Sequence, residues 1–245
     1  MGCYGRFAST YDRLMSDVDY DAWAEYIYAM LERERAKRVV ECACGTGEIG
    51  LRLAKRGLDM TCTDISREML EKASEKARRT GVKPVFACMD MRKLCVHRPA
   101  DAVISACDGV NYLASPSDMS MFFDAAYAAL KKDGLLLFDI SSRHKLRDII
   151  GGNTFASDEE DAAYIWSNTY DDVSKLCEMR LTVFERRGEL YEKYEETHIQ
   201  RAHSVAETEN RLKKAGFELI GAYEAFTLRA CDDSSERIQF AARRV

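Results

Sequence analysis

Five short apolar runs, most of them entering a stretch of helical periodicity, constrain the first 141 residues more than any other feature. RVVECA (38–43), DMTCTD (59–64), VFACMD (85–90), AVISAC (102–107) and LLLFDIS (135–141) read as strands. Helical patterns follow from GTGEIG through Arg56, over SREMLEKASEKARRTG (66–81) and over about 117–132. Ser66 is expected to N-cap the second of these and Gly81 to close it. Another amphipathic helix, over 20–34, carries Trp23, Ile27, Met30 and Leu31 at helical spacing. Strands alternating with helices predict an α/β fold, a parallel sheet covered on both faces, and right-handed crossovers fix most of its topology.

After Ser141 the rhythm changes. A short helix over 144–150 ends in Gly151-Gly152. AAYIWSNTY (162–170), KLCEMRLTVFE (175–185) and ELYEKYEETHIQ (189–200) then alternate with period two. In the middle segment Cys177, Met179, Leu181 and Val183 share one face, opposite Glu178, Arg180, Thr182 and Phe184. Turns at Asp171-Asp172 and Arg187-Gly188 make this an antiparallel meander inserted after the fifth strand. Residues 151–200 hold twelve acids and five bases, a net of −7 in a chain of net −5, which leaves +2 elsewhere. A helix over 206–215, a strand in FELIGAYEAF and a last strand in RIQFAARR close the chain. The organisation is one domain over 1–245: a cap segment and helix (1–36), a core (37–141), a lid insertion (142–203), and a C-terminal helix and hairpin (204–245).

At 47% apolar and 31% charged residues over 245 positions, the chain suits a globular protein with one sizeable core. No apolar run approaches the roughly 18 residues that span a bilayer, and MGCYGRFAST has no signal-peptide core. Arg6 stands where a myristoylation signal needs a hydroxyl residue. A cytoplasmic protein without a membrane partner is expected. The net negative charge and the lack of a basic-aromatic stripe speak against a nucleic-acid partner. Nine cysteines, an odd number without CxxC pairs or histidines in ligand spacing, read as reduced small hydrophobes, with no metal site.

The chemistry begins at Gly45, Gly47 and Gly50, which satisfy G-x-G-x-x-G between a strand and a helix, with Asp64 nineteen residues on. Such a loop allows close ligand approach, and an acid after the second strand accepts from ribose hydroxyls. NAD and S-adenosylmethionine both fit. Three features favour the sulfonium cofactor. Glu41 ends the first strand, where a dehydrogenase keeps an apolar residue. Asp90 ends the third, placed to accept from an adenine amino group, with Met91 beside it to pack on the ring. Two late strands complete a seven-stranded sheet with an antiparallel hairpin at its edge.

VVECACGTGEIG, TDIS, CMDMRKL, ISACDGVNYL and GLLLFDIS, in that order, resemble the motif series of class I S-adenosylmethionine-dependent methyltransferases. The likeness covers about residues 4–140. CYGRFASTYDRLM and HIQRAHS further resemble a bacterial branch with an N-terminal Y-x-x-F-A-x-x-Y-D segment and a β-meander lid. The resemblance implies a Rossmann-like seven-stranded sheet, mostly parallel with one antiparallel edge strand, flanked by helices. It implies S-adenosyl-L-methionine as cofactor and S-adenosyl-L-homocysteine as product. Glu41 would neighbour the methionine amino group, with Gly45 and Gly47 lining its path. Ala43 departs from the family by replacing the first loop glycine. Asp64 would hold the ribose, Ile65 and Met69 would pack around the adenosine, and Asp90 and Met91 would read adenine. Cys107 and Asp108 would sit near the transferred methyl, and Asn111 and Tyr112 lie just beyond. Tyr11 would fold over the cofactor with Tyr4, Phe7 and Trp23 as neighbours.

Methyl transfer is an in-line displacement, so a protein mainly positions the nucleophile and excludes water. A base is needed where the acceptor arrives protonated. His144 and His198 are candidates for it, alongside Tyr11, and Arg143 and Arg201 could bind a carboxylate. The expected function is methyl transfer to N or O of a small molecule or peptide. The acidic lid suits an amine, the arginines a carboxylate such as a peptide C-terminus. An NAD-dependent oxidoreductase and a non-catalytic adenosyl-binding module are the competing readings.

Overall fold

The computed structural model describes residues 11–158 and 161–245, so Tyr4 and Phe7 lie outside the described residues. Helices α1 (Tyr11–Leu14) and α2 (Tyr20–Arg33) precede β1 (Arg38–Cys42), α3 (Glu48–Lys55), β2 (Asp59–Asp64), α4 (Arg67–Thr80) and β3 (Val85–Cys88). There follow β4 (Ala100–Ser105), α5 (Pro116–Ala129) and β5 (Leu130–Ser141). A second sheet is formed by β6 (Thr154–Asp158), β7 (Ala162–Asp171), β8 (Leu176–Arg187) and β9 (Leu190–Arg201). The chain returns to the first sheet through α6 (Val205–Lys214), β10 (Phe217–Glu224) and β11 (Arg237–Arg244).

The first sheet has the order β10-β11-β5-β4-β1-β2-β3, with β3, β2, β1, β4 and β5 paired in parallel. The antiparallel strand is β11, one place in from the edge, between β5 and β10. Alternation along the strands divides the core in two. Val40, Val103, Leu136 and Phe138 pack towards Phe122 and Phe123 of α5 and Leu212 of α6. Val39, Met60, Ile104 and Leu137 pack towards Ile27 and Leu31 of α2 and Leu53 of α3. Ser66 caps α4 by accepting from the Met69 amide at 3.2 Å, and Gly81, with φ of 75°, ends it.

Three local readings change. The helix expected to reach about residue 132 stops at Ala129, because Leu130 already pairs with Ala100. The Arg244 guanidinium donates to the Tyr127 and Leu130 carbonyls, which satisfies that helix end from outside. The short helix after β5 is a single π-turn, Lys145–Ile150. The meander has a fourth strand, β6, whose sequence TFASD is too polar and short to announce itself and sits at the sheet's edge.

Two buried polar groups fasten the second sheet to the first. Asn111, fully buried, donates to the carbonyls of Ser141 at 3.0 Å and Arg201 at 2.9 Å, and accepts from the Ser141 amide at 2.9 Å. It therefore clamps the two points where the insertion leaves and re-enters the core. Arg237 of β11 binds the carboxylates of Asp139 on β5 and Asp108 beyond β4, the latter at 2.7 Å. Gln200 of β9 donates to the other oxygen of Asp108 at 2.7 Å. Burial pushes the Asp139 carboxyl up to about 6 against the pull of Arg237, so it remains ionised at neutral pH.

Removing one member of a buried ion network leaves uncompensated charge, which costs more than the network contributes. Arg237→Met should lower stability by about 3–5 kcal/mol in urea unfolding at pH 7. Adding Asp139→Asn to that variant should restore part of the loss; a double variant no more stable than the single one would refute this account.

Candidate active site

A cavity of about 940 Å³ opens at the C-terminal ends of β1, β2 and β4, between the first sheet and the lid strand β9. Its floor is the turn after β1. Ala43 adopts φ of 53° and Gly45 φ of 54°, and Gly47, with φ of 80°, starts α3. Gly45 and Ala43 line the cavity, whereas Gly47 packs behind it, where an added Cβ would stand 3.0 Å from that of Ala73. A Cβ on Gly50 would collide with Glu41 Oε2 and Cys62 Sγ, so the third glycine of the motif makes room for the Glu41 side chain and not for a ligand.

Glu41 is 2% exposed, and its Oε2 has no hydrogen-bond partner among the described residues. Desolvation, reinforced by the nearby Asp64 charge, pushes its carboxyl up to about 8. Asp64, at the end of β2, accepts from the Gly45 amide at 2.8 Å and the Ser66 amide at 2.8 Å. Burial raises its carboxyl too, although these two bonds and one from Ile65 oppose the shift. Beside it Ile65 stands 63% exposed on the cavity wall, an apolar surface in search of a flat apolar partner. Met69, Met89 and Met91 complete this end. Asp90 lines it as well, but its carboxylate is gripped by Arg92, which also reaches Asp118 at 2.7 Å. That grip holds the Asp90 carboxyl below the usual carboxylate range.

The opposite end is ringed by phenols. Tyr11, Tyr20 and Tyr112 line the cavity around Cys107. Burial raises the Tyr11 and Tyr20 hydroxyls well above 10, and the two are hydrogen-bonded to one another. Across from them β9 contributes Tyr194, Glu195, Glu196 and Thr197. His198, 6% exposed, sits behind this wall, with Nδ1 3.5 Å from the Tyr112 hydroxyl and Nε2 3.5 Å from Glu196.

Of the residues anticipated for the cofactor, Tyr11, Glu41, Ala43, Gly45, Asp64, Ile65, Met69, Asp90, Met91 and Cys107 line one cavity. Trp23 does not: it is buried in the α2 packing, edge-on to Phe226 at 4.9 Å and beneath the Arg237 guanidinium. Asp108 is likewise taken by Arg237 and Gln200 behind the wall. Among the polar candidates His144 pairs with Asp148 at 3.0 Å near the surface, and Arg143 with Asp172 at 3.2 Å. Arg201 donates to the Ser174 carbonyl at 2.6 Å. None of these three lines the cavity. Residues not anticipated are Tyr20, Thr46, Glu48 and the β9 side chains. Counting back by twos from His198 would have put Glu196 and Tyr194 on its face; nothing local marks Tyr20.

Comparison with known proteins bears on the whole chain. Residues 39–134 match a family model described as a methyltransferase domain. YqeM of Bacillus subtilis (strain 168), named as a methyltransferase, is 38% identical over 245 residues, covering 98% of this chain and 97% of that protein. The solved S-adenosylmethionine-dependent methyltransferase from Clostridium acetobutylicum ATCC 824 superposes with a TM-score of 0.89 at 31% identity, over 99% of each chain. A glycine/sarcosine N-methyltransferase of Aphanothece halophytica is 35% identical over 117 residues, 47% of this chain and 44% of that protein. The oxidoreductase alternative falls with these matches. With likeness of this kind running over nearly the full length of both proteins, the chain belongs to the S-adenosylmethionine-dependent methyltransferases.

Proposed function

We propose that this methyltransferase transfers its methyl group to the nitrogen of a small amine held beneath the lid. The charge of the cavity wall carries the reading. Among the described residues it is lined by seven acidic side chains, Glu41, Glu48, Asp64, Glu68, Asp90, Glu195 and Glu196, against one basic one, Arg92. Burial pushes the Glu41 carboxyl up to about 8, and Glu48, Asp90 and Glu195 are paired with Lys76, Arg92 and Lys193, which leaves Asp64, Glu68 and Glu196 to set the sign of the wall. Arg92 is itself neutralised by Asp90 and Asp118. Carboxylates and phenol rings together favour an ammonium group. The partial match to an enzyme named for glycine and sarcosine N-methylation agrees with this. The carboxylate alternative has less support, because neither Arg143 nor Arg201 lines the cavity.

The residues present fit the cofactor. Glu41 on the cavity wall suits a methionyl ammonium, whose charge would draw its carboxyl into the ionised form, and the exposed Ile65 suits an adenine face. Asp64 keeps a lone pair for ribose hydroxyls beside the three amides it already binds. When bound, S-adenosylmethionine supplies a sulfonium methyl open to attack from the side opposite sulfur. The protein's share is alignment and exclusion of water, which Tyr11, Tyr20 and Tyr112 provide around Cys107. An amine must lose its proton before it can attack. Glu196 holds the ammonium, and the proton leaves by relay: the Tyr112 oxygen takes it from the amine as the Tyr112 hydroxyl gives its own proton to His198 Nδ1.

Tritiated-methyl transfer into fractionated cell extract, followed by mass spectrometry of the labelled product, tests the acceptor. An N-methylated amine is expected; a base-labile methyl ester would replace this reading with the carboxylate one. A second outcome concerns Glu41, whose folded pKa, about 8, lies above its ordinary value. Its protonated form therefore adds stability below about pH 4.5 that is lost as pH rises through about 8. Urea unfolding of the ligand-free protein between pH 5 and pH 8.5 should show this decline, and Glu41→Gln should flatten it. Parallel curves for the two proteins would mean that Glu41 is ionised throughout.

A further inference from the structure

Helix α1 is a single turn of four residues, too short to hold itself in place. Its position comes from two neighbouring side chains that face different partners. Tyr11 lines the cavity and packs with Tyr164, Trp166 and Tyr194 against Leu181 and Val183 of the lid. Asp12 reaches the other way. Its Oδ1 accepts from the Thr46 hydroxyl at 2.6 Å, and its Oδ2 meets Lys76 Nζ at 2.6 Å. Thr46 lies in the glycine loop, 2% exposed, and lines the cavity. Lys76 projects from α4 and also pairs with Glu48, the first residue of α3, at 2.5 Å. One carboxylate thus ties the segment carrying Tyr11 to the loop and to both helices that frame the cofactor end.

We propose that Asp12 is a positioning residue that latches α1 across the cavity, and that release of S-adenosylhomocysteine waits on this latch. The inference rests on the cofactor reading of the cavity. Two features make Asp12 the moving part. Lys76 keeps Glu48 when Asp12 leaves, and Glu48 keeps Arg52, so opening the latch orphans no charge on the frame. The frame is also built from full helices, whereas α1 has one turn. Loss of the Asp12 contacts frees the strap and leaves the floor of the site as it was. Tyr11 then swings away from the tyrosines around Cys107, and the cavity opens on that side.

Calorimetry and stopped-flow displacement with S-adenosylhomocysteine on the full chain test this without knowledge of the acceptor. Asp12→Ala should raise Kd about tenfold, the scale of one hydrogen bond to a charged group, with the change in the dissociation rate. Thr46→Val, which removes only the hydroxyl partner, should give a smaller rise of the same kind, and Asp12→Asn should recover part of the affinity. The ligand-free Tm of these variants should stay near that of the wild type, which a purely structural role would not allow. Wild-type Kd and dissociation rate in both Asp12→Ala and Thr46→Val would overturn the latch. Should Asp12→Ala not fold, Lys76→Met decides by the same two readouts, because Lys76 holds Asp12 and does not line the cavity. Failure of the wild-type protein to bind S-adenosylhomocysteine would overturn the cofactor reading, and the latch with it.

Discussion

A single guanidinium, that of Arg237, joins parts of the chain that are far apart in sequence. It holds Asp139 in the fifth strand and Asp108 at the exit of the fourth, and Asp108 in turn receives Gln200 from the lid. The C-terminal hairpin, the strand exit beside the cavity and the second sheet therefore share one electrostatic knot. The backbone around it is under strain: Cys107 and Asp108 take φ of 57° and 53°, a region that L side chains avoid. Paired charge in a dry setting is strong enough to hold such a turn, and the turn presents Cys107 to the cavity. Stability and site geometry are here the same interaction.

Legibility followed the range of the forces. The alternation of strand and helix, the Ser66 and Gly81 caps and the glycine loop are set by residues a few positions apart, and each was readable from residue types. Cavity-lining positions at strand ends, such as Glu41, Asp64 and Asp90, were readable because the fold delivers strand ends to one crevice. Long-range choices were not. Asp108 ends a strand like the others, yet its carboxylate goes to Arg237, 129 positions away, and no local pattern announces that pairing. Arg143, Arg201 and His144 occur near the lid in sequence, but each satisfies its charge or polarity with a neighbour outside the cavity. Edge strand β6 was invisible for a different reason: an exposed edge needs no apolar alternation.

The lid's acidity gains meaning from which acids face inward. Among the described residues most of its carboxylates are exposed, and several sit in exposed pairs such as Arg180 with Glu178 and Lys193 with Glu195, worth little each. Glu196 differs. It lies opposite Leu181 on the inner face of the sheet, its side chain 13% exposed, against His198 and on the cavity wall. On the proposed amine reading, the lid's net charge draws cations towards the mouth, and Glu196 is the acid on the cavity wall that meets them.

Ala43 shows how a departure from the family pattern is absorbed. Glycine is usual at this point because the backbone turns left-handed, and Ala43 keeps that turn at φ of 53° despite its side chain. An L side chain in that region costs about 1–2 kcal/mol. The methyl also needs space, and it is found on the next layer: a Cβ on Gly109 would come within 2.9 Å of the Ala43 Cβ and of Ser105 Oγ. With Ala43 in place, position 109 has no room for a side chain. The two residues are thereby coupled, and Gly109 follows directly on the strained pair Cys107-Asp108 that Arg237 holds.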